Sequence, residues 1–402
     1  MAGGGTVISS RVHLLELLTR PFDRVRQLDD VENLGAAEAG DQPSTNGESP
    51  SRSPGRISTV AGMRKQGPDL AMLDQMLAEM ERAPELYRPT NFWQTGLSGI
   101  VTDLRSRGVE NFRSHASARM MYVPTYTGSS RLLRLAGGAL RRLGLLGLGS
   151  RVLNQQQAYF DHAVATGLDP DHGLKLRGAS ESTVGRPVEQ FTFDGLRYSR
   201  SFLNYLRGLV FFKRVVPDAE VRRVLEIGGG YGTLGEILLQ GDEAITYVDV
   251  DIPPVAFVAG WYLQQVLGRP RVAAWDETRN WKSIDLATMD RSAVLCPWQL
   301  PDVTGQVDLF VNLISFQEME HDVIENYFHH VDRLGARWVL LRNSVAGKPV
   351  GGSGELGVRE PVKRGDYLDI FSGYELVASD HRLFGHSQEG GLTSEVMVLA
   401  RR

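Results

Sequence analysis

The stretch VLEIGGGYGTLGEILLQ, residues 224 to 240, sets an acid inside an apolar run, then a cluster of glycines, then an amphipathic pattern. Glycine leaves the backbone bare, so such a turn can bring main-chain amides close to a ligand. The glycines read in two registers. As G-x-G-x-x-G they are Gly230, Gly232 and Gly235, a dinucleotide fingerprint that places a pyrophosphate on a helix N-terminus. As E-x-G-x-G-x-G the set is Glu226, Gly228, Gly230 and Gly232. A fingerprint of the first kind should begin as the strand ends. The apolar run ends at Ile227, so that register starts two residues late and gives Glu226 no task. A carboxylate inside an apolar strand is costly unless it meets a partner. A cofactor bearing ammonium and sulfonium charge supplies one, and S-adenosylmethionine (SAM) is such a cofactor. Glu226, Gly228, Gly229, Gly230, Tyr231 and Gly232 are therefore the expected first part of a SAM site. A nicotinamide dinucleotide is the alternative, and the chain would then be a Rossmann oxidoreductase.

The elements that must position this turn follow from the pattern on either side. From residue 221 the chain alternates strands (VRRVLEI, AITYVDV, AVLCPW, VDLFVNLIS, ARWVLLRNSV) with helices (TLGEILLQ, PVAFVAGWYLQQVLG, EMEHDVIENYFHHVDRLG). Repeated βα units imply a parallel sheet with right-handed crossovers. The tail, YELVASDHRLF then SEVMVLARR, has no helix between its two strands, which implies an antiparallel pair at one edge. The expected fold is thus α/β, a Rossmann-like sheet of the class I methyltransferase form with a reversed last strand. A mainly helical region precedes it: Leu70, Leu73, Met76, Leu77 and Met80 form one stripe, and Asn91 is a plausible helix cap. Residues 152 to 215 read as mostly helical. The expected organisation is residues 1–60 as a helix plus disordered linker, 61–215 as a helical cap or substrate domain, and 216–402 as the SAM-binding domain. GAAEAGDQPSTNGESPSRSPGR carries no large apolar side chain and reads as disordered, so the first sixty residues are expected to be dispensable. The arginine- and glycine-containing RLLRLAGGALRRLGLLGLGSRVL reads as a helix or loop packed on the core, with membrane-surface binding as its alternative.

A second acid belongs at the end of the next strand, where it would meet ribose hydroxyls. YVDVDIPP offers Asp249 and Asp251, and Asp251 falls at the strand tip. Several stretches resemble the sugar O-methyltransferases of bacterial secondary metabolism and polysaccharide synthesis: LYRPTNFW, GVENFR, GLRYSRSFLNYL, VLEIGGGYGTLGEILL, YVDVDIPP, WYLQQVLG, VDLFVNLISFQEME and LLRNS. The resemblance runs from about residue 86 to 343 and implies SAM-dependent methylation of a hydroxyl of a sugar or deoxysugar, carried on a natural product such as an antibiotic or on a polysaccharide. In such a fold the fourth strand's end faces the transferred methyl, and here it reads NLISFQEMEHD, residues 312 to 322. Asn312 and Ser315 are expected beside the cofactor. Amino-group methyltransferases often carry an Asn-Pro-Pro-Tyr-like motif there, and the missing prolines favour a hydroxyl acceptor.

Glu318, His321 and Asp322 sit at i, i+3 and i+4, one face of a helix. An imidazole titrates near neutrality, so His321 is the expected base, with Glu318 orienting or replacing it and His381 or His386 as rivals. The trio could also hold a divalent ion, but a solvated helix face is the simpler reading and no metal is expected. Gln317, Trp93 and Tyr198 are expected to contact the acceptor, with Phe92 beside them. His329 and His330 read as the outer face of the following helix.

The whole chain bounds these readings. It has 402 residues, 42% hydrophobic and 23% charged, with a net charge of −4 and one cysteine, Cys296. That balance gives no basic field for nucleic acid and no disulfide framework. HLLELL is too short for a signal-peptide core, and no stretch reaches the length of a membrane span, so a cytoplasmic enzyme is expected. A homo-oligomer and a non-catalytic SAM-binding protein both remain open.

Overall fold

A computed structural model describes residues 70–123, 126, 146–352, 355–381 and 393–402, the side chains of 146–153 excepted. All lie within one compact unit, Arg64–Arg402. The first sixty residues, and most of the arginine–leucine–glycine stretch, fall outside the described residues.

The helices are α1 (Leu70–Arg82), α2 (Asn91–Arg107), α3 (Leu146–Gly167), α4 (Arg200–Val215), α5 (Thr233–Gly241), α6 (Val255–Leu267), α7 (Trp275–Thr278), α8 (His321–Arg333) and α9 (Arg364–Ile370). The strands are β1 (Phe191–Phe193), β2 (Leu196–Tyr198), β3 (Arg223–Ile227), β4 (Thr246–Val250), β5 (Val272–Ala273), β6 (Ile284–Asp285), β7 (Ser292–Leu295), β8 (Val303–Thr304), β9 (Leu309–Leu313), β10 (Trp338–Ser344), β11 (Tyr374–Asp380) and β12 (Ser394–Arg401).

Eight strands form the main sheet in the order β11-β12-β10-β9-β3-β4-β7-β5. Neighbours from β10 to β5 run parallel. β12 runs antiparallel to both β10 and β11. This is the class I methyltransferase form of the doubly wound sheet, with the reversed strand where the helixless tail placed it. The order reverses at β3: β4 lies on one side and β9 on the other, which opens a crevice at their carboxyl ends. β3, β4 and β9 are buried on both faces, and that is why they read as nearly continuous apolar runs.

Alternation along each strand divides the core in two. Val224, Tyr247, Val311, Leu340 and Val398 pack with α4, α5 and α6. Leu225, Val248, Phe310, Leu341 and Met397 pack with α8 and with Tyr367 of α9. Leu73, Met76, Phe92, Trp93, Leu97 and Leu104 of α1 and α2 join the first of these layers. α2 is capped by Thr90 in extended conformation, so Asn91 is its first residue and not its cap.

Residues 152 to 215 depart from the helical expectation. α3 ends at Gly167, and a hairpin, β1–β2, precedes α4. Its turn is Asp194-Gly195, both with left-handed φ (51° and 77°), the conformation that a two-residue hairpin turn demands. Ser199 then caps α4, its hydroxyl accepting from Phe202 N at 3.2 Å. Among the described residues no helix is long and apolar enough to cross a membrane.

Candidate active site

A cavity of about 590 Å³ lies over the carboxyl ends of β3, β4, β9 and β10. Gly228 and Gly230 form its floor. Both have left-handed φ, 75° and 62°, and a Cβ at Gly228 would overlap the Ser315 side chain. The turn therefore packs closely against the end of β9. Asp251, one residue past β4, closes the turn and faces the cavity: its Oδ2 accepts from Gly230 N (2.9 Å) and its Oδ1 from Ile252 N (2.7 Å). Burial pushes its carboxyl up to about 7, against the pull of those two amides.

Glu226 and Asp249 lie side by side in the β3–β4 register, under Gly229. A side chain at 229 would collide with both carboxylates. Glu226 accepts hydroxyls from Tyr247 (2.5 Å) and Tyr205 (3.2 Å). Burial raises it to about 8; the two tyrosines oppose the shift and Asp251 adds to it. Neither Asp249 oxygen has a hydrogen-bond partner of good geometry. Burial, then Glu226 and Asp251, drive it well above the carboxylate range, with only the Gly229 amide opposing. Glu226 does not line the cavity, so its expected contact with a cofactor becomes an indirect one, through the turn above it. Three carboxyl groups thus converge at a glycine turn, each held above its ordinary pKa mainly by burial, and an arriving cation would favour their charged forms.

At the tip of β9, Asn312 is fully buried and serves the backbone. Its Nδ2 donates to Ile227 O (2.9 Å) and Ser315 Oγ (2.6 Å), while its Oδ1 accepts from Phe316 N (3.2 Å) and Asn343 Nδ2 (3.2 Å). Ser315 faces the cavity and Asn312 lies behind it. Between them Ile314 holds a φ of 80°, an outlier for a β-branched residue, and lines the cavity. Strain of this kind persists only where the surroundings fix it, and the Ile314 amide is fixed by Arg342 O at 2.6 Å. Gln317 also lines the cavity. Its Oε1 accepts from Ser344 N (2.6 Å), and its Nε2 is buried without a partner.

Glu318 and Trp93 meet in the cavity wall, with Phe92 and Thr90 beside them. Lys348 approaches Glu318 at 3.1 Å and sits 4.9 Å over the Phe92 ring. Burial raises the Glu318 carboxyl, while Lys348 and Trp93 oppose the rise. The Thr90 hydroxyl ties the two segments together, donating to Glu318 O at 2.8 Å.

Four expected residues lie elsewhere. His321 does not line the cavity. Met319 and Glu320 are extended, so α8 starts at His321 and Glu318 precedes the helix. The imidazole turns towards α9, 3.7 Å from Asp366, while Asp322 caps its own helix at Val323 N (2.9 Å). Glu318, His321 and Asp322 therefore do not converge on a common point. Tyr198 is 2% exposed and packs against His162, Phe193 and Phe202 in the layer under the hairpin. Tyr231 points away from the cavity into a cluster with Phe112 and Tyr262, where its hydroxyl donates to Glu181 Oε1 at 3.0 Å. Gly232 opens α5 against Leu263. His381 is exposed at the end of β11, and His386 lies outside the described residues. His330 faces inward and pairs with Tyr87 Oη at 2.8 Å.

The cavity wall also holds residues to which the sequence reading gave no individual role: Lys348, Tyr205, Arg200, Arg342, Met120 and Met121. Arg342 had a visible signal. It is a charge inside the apolar run ARWVLLRNSV, the same anomaly that drew attention to Glu226.

No family model and no curated protein matches the chain. Similar solved structures include magnesium protoporphyrin IX methyltransferase from Synechocystis with bound S-adenosylhomocysteine (SAH). It is 16% identical over 53% of this chain and 90% of that one, TM-score 0.35. Mitomycin 7-O-methyltransferase is 13% identical over 83% and 74%, TM-score 0.32. A SAM-dependent methyltransferase from Clostridium acetobutylicum is 11% identical over 49% and 91%, TM-score 0.33. The fold assignment stands on the strand order of this chain.

Proposed function

We propose that the chain is a SAM-dependent O-methyltransferase acting on a hydroxyl of a sugar or deoxysugar, carried on a natural product or polysaccharide. The observation that carries this reading is the junction of a cation-favouring glycine turn with a buried carboxylate, Glu318, in one cavity. The donor set fits SAM. Gly228 and Gly230 bare the backbone, and Asp251, which faces the cavity, offers its carboxyl group to ribose hydroxyls. A dinucleotide pyrophosphate fits poorly, because the Gly230 amide that would serve it is already given to Asp251. When bound, SAM supplies an electrophilic methyl group on a sulfonium.

The chain's own residues then have three tasks. Trp93, Phe92 and the strained Ile314 give apolar walls that exclude water and fix the angle of approach. Gln317 Nε2 donates to an acceptor oxygen that takes the place of its missing partner. Glu318 takes the acceptor hydroxyl's proton: its raised pKa makes it a stronger base than an ordinary carboxylate, and Lys348 keeps the charged form accessible. His321, turned to Asp366, has no part in this.

The test is calorimetry on the full chain with SAM, SAH and NADPH, on the wild type and Asp251→Asn. SAM is expected to bind and NADPH not to. Loss of a charge-assisted hydrogen bond in the variant should weaken SAM roughly 10–100-fold. Binding of NADPH but not SAM would return the site to the oxidoreductase reading.

A further inference from the structure

Glu318 and Lys348 form an ion pair in the cavity wall, with Oε1 and Nζ 3.1 Å apart. The backbone on both sides braces it. Thr90 donates to Glu318 O, and Asn91 Nδ2 donates to Gly357 O at 2.8 Å, which ties the segment after β10 to the start of α2. That segment folds back on itself, Val358 N donating to Pro349 O at 3.2 Å, so Lys348 enters the wall from a held turn. Glu318 is close enough to Asp251 to push that carboxyl up, which puts the pair beside the glycine turn. Lys348 lies on the Phe92 side of it.

The pair keeps bonding capacity for a ligand. An ammonium carries more N–H donors than Glu318 and the Phe92 ring face can use, and Lys348 and the Trp93 indole engage only part of the carboxylate's lone pairs. What can meet both ends follows from their charges. An anion at Lys348 would stand beside the Glu318 carboxylate, and a cation at Glu318 would stand beside the Lys348 ammonium; both are disfavoured. Neutral groups that donate at one end and accept at the other suit the pair, and a hydroxyl can do either. Two gauche oxygens on adjacent carbons stand about as far apart as two hydrogen-bonded atoms, which matches the 3.1 Å of the pair. Beside it Phe92 and Trp93, edge to face with centroids 5.9 Å apart, offer apolar surface to the C–H groups of a ring.

We infer that the acceptor presents a vicinal diol to this pair: the hydroxyl to be methylated donates to Glu318, and the oxygen on the neighbouring carbon accepts from Lys348 Nζ. This rests on the O-methyltransferase reading above and narrows its acceptor. Lys348 is then a specificity-determining residue. A hydroxyl flanked by methylene groups would cover the ammonium without giving it an acceptor, and a buried charged donor left unmet is costly. The site thus selects a ring position by what its neighbour carries.

The experiment first measures SAH binding to the full chain by calorimetry. Failure there refutes the methyltransferase reading itself. The SAH-loaded protein is then titrated, by ligand-observed NMR, with cis-1,2-cyclohexanediol and trans-1,4-cyclohexanediol, isomers with the same ring and the same number of hydroxyls. The 1,2-diol is expected to bind at least about tenfold tighter, the scale of one hydrogen bond to a charged group. Lys348→Met keeps the stem over Phe92 and loses the donors. It should bring the two diols within about twofold of each other, while SAH affinity also stays within about twofold. Circular dichroism and melting temperature report that the variant folds; if it does not, Lys348→Gln takes its place. Equal binding of the two diols by the wild type, no binding of the 1,2-diol, or a preference that survives in the variant overturns the inference. So does a fall in SAH affinity in Lys348→Met, since that would assign the ammonium to the cofactor's carboxylate.

Discussion

Replacing Glu318 by Gln should separate the two candidate bases. Glu318 is buried in the cavity wall, while His321 lies outside it with its side chain 34% exposed against Asp366. Gln keeps the volume and accepts from the same donors, but cannot take a proton at neutral pH. Loss of a general base costs roughly 10²–10⁴ in turnover, or about 2.7–5.4 kcal/mol of barrier. Stability should fall much less, because Lys348 retains 21% side-chain exposure and can turn to water once its partner is neutral. His321→Ala removes only a half-exposed contact with Asp366, outside the cavity, and should leave turnover within about twofold. The assay is single turnover at saturating SAM, followed by mass detection of the methylated acceptor. The pH profile adds a second readout. Glu318 is held above its ordinary pKa, so the wild-type rate should rise with pH across a limb displaced upward from the carboxylate range, and Glu318→Gln should lose that limb. Near-normal turnover in Glu318→Gln, or a tenfold loss in His321→Ala, would refute this assignment.

The remaining predictions concern the glycine turn. Glu226 is held at about 8 against an ordinary 4.5, so the native state keeps a proton that the unfolded chain has lost. The stability this contributes is complete below about 4.5 and lost as pH rises through about 8, so the melting temperature of the ligand-free protein should fall between pH 6 and 8.5. Glu226→Gln should flatten that fall, as followed by differential scanning fluorimetry at fixed ionic strength; a fall unchanged in the variant counts against the assignment. Gly228→Ala should destabilise by roughly 2–4 kcal/mol, from left-handed φ and overlap with Ser315 together, and Ser315→Gly should restore part of it in the same chemical-denaturation experiment.

The sheet was legible because its central strands are buried on both faces and its helices have one apolar stripe each. VLEI, YVDV and LFVNL are runs that few other structures accommodate. The reversed β12 was legible from a negative feature, the lack of a helix between YELVASD and SEVMVLAR. The β1–β2 hairpin was missed although Asp194-Gly195 is a strong hairpin signal, because FTF and LRY are too short to show alternation beside the long helical patterns around them. The two-residue β5 at the sheet edge carries no pattern to detect.

The site was legible where a residue violated its surroundings. Glu226 inside VLEI and Arg342 inside VLLRN are both charges in apolar strands, and each lies at the cavity or just beneath it. Helical spacing misled where the backbone was not helical. Glu318, His321 and Asp322 share a face only if the helix is continuous, and two extended residues, Met319 and Glu320, rotate Glu318 into the cavity and His321 out of it.

The question raised by the glycines has a physical answer in what lies beneath them. In a pyrophosphate-binding turn the bare backbone serves an anion at the helix N-terminus. Here Gly229 is bare because the Glu226 and Asp249 carboxylates occupy the space a Cβ would need, and Asp251 accepts the Gly230 amide that a phosphate would otherwise claim. With the Gly228 amide given to Val250 O (2.8 Å) and the Gly230 amide to Asp251, the turn has little left to offer an anion. The acid two residues before the first glycine is therefore an informative letter of the motif: with Asp249 it fills the space beneath Gly229, a packing role that the glycines alone leave open.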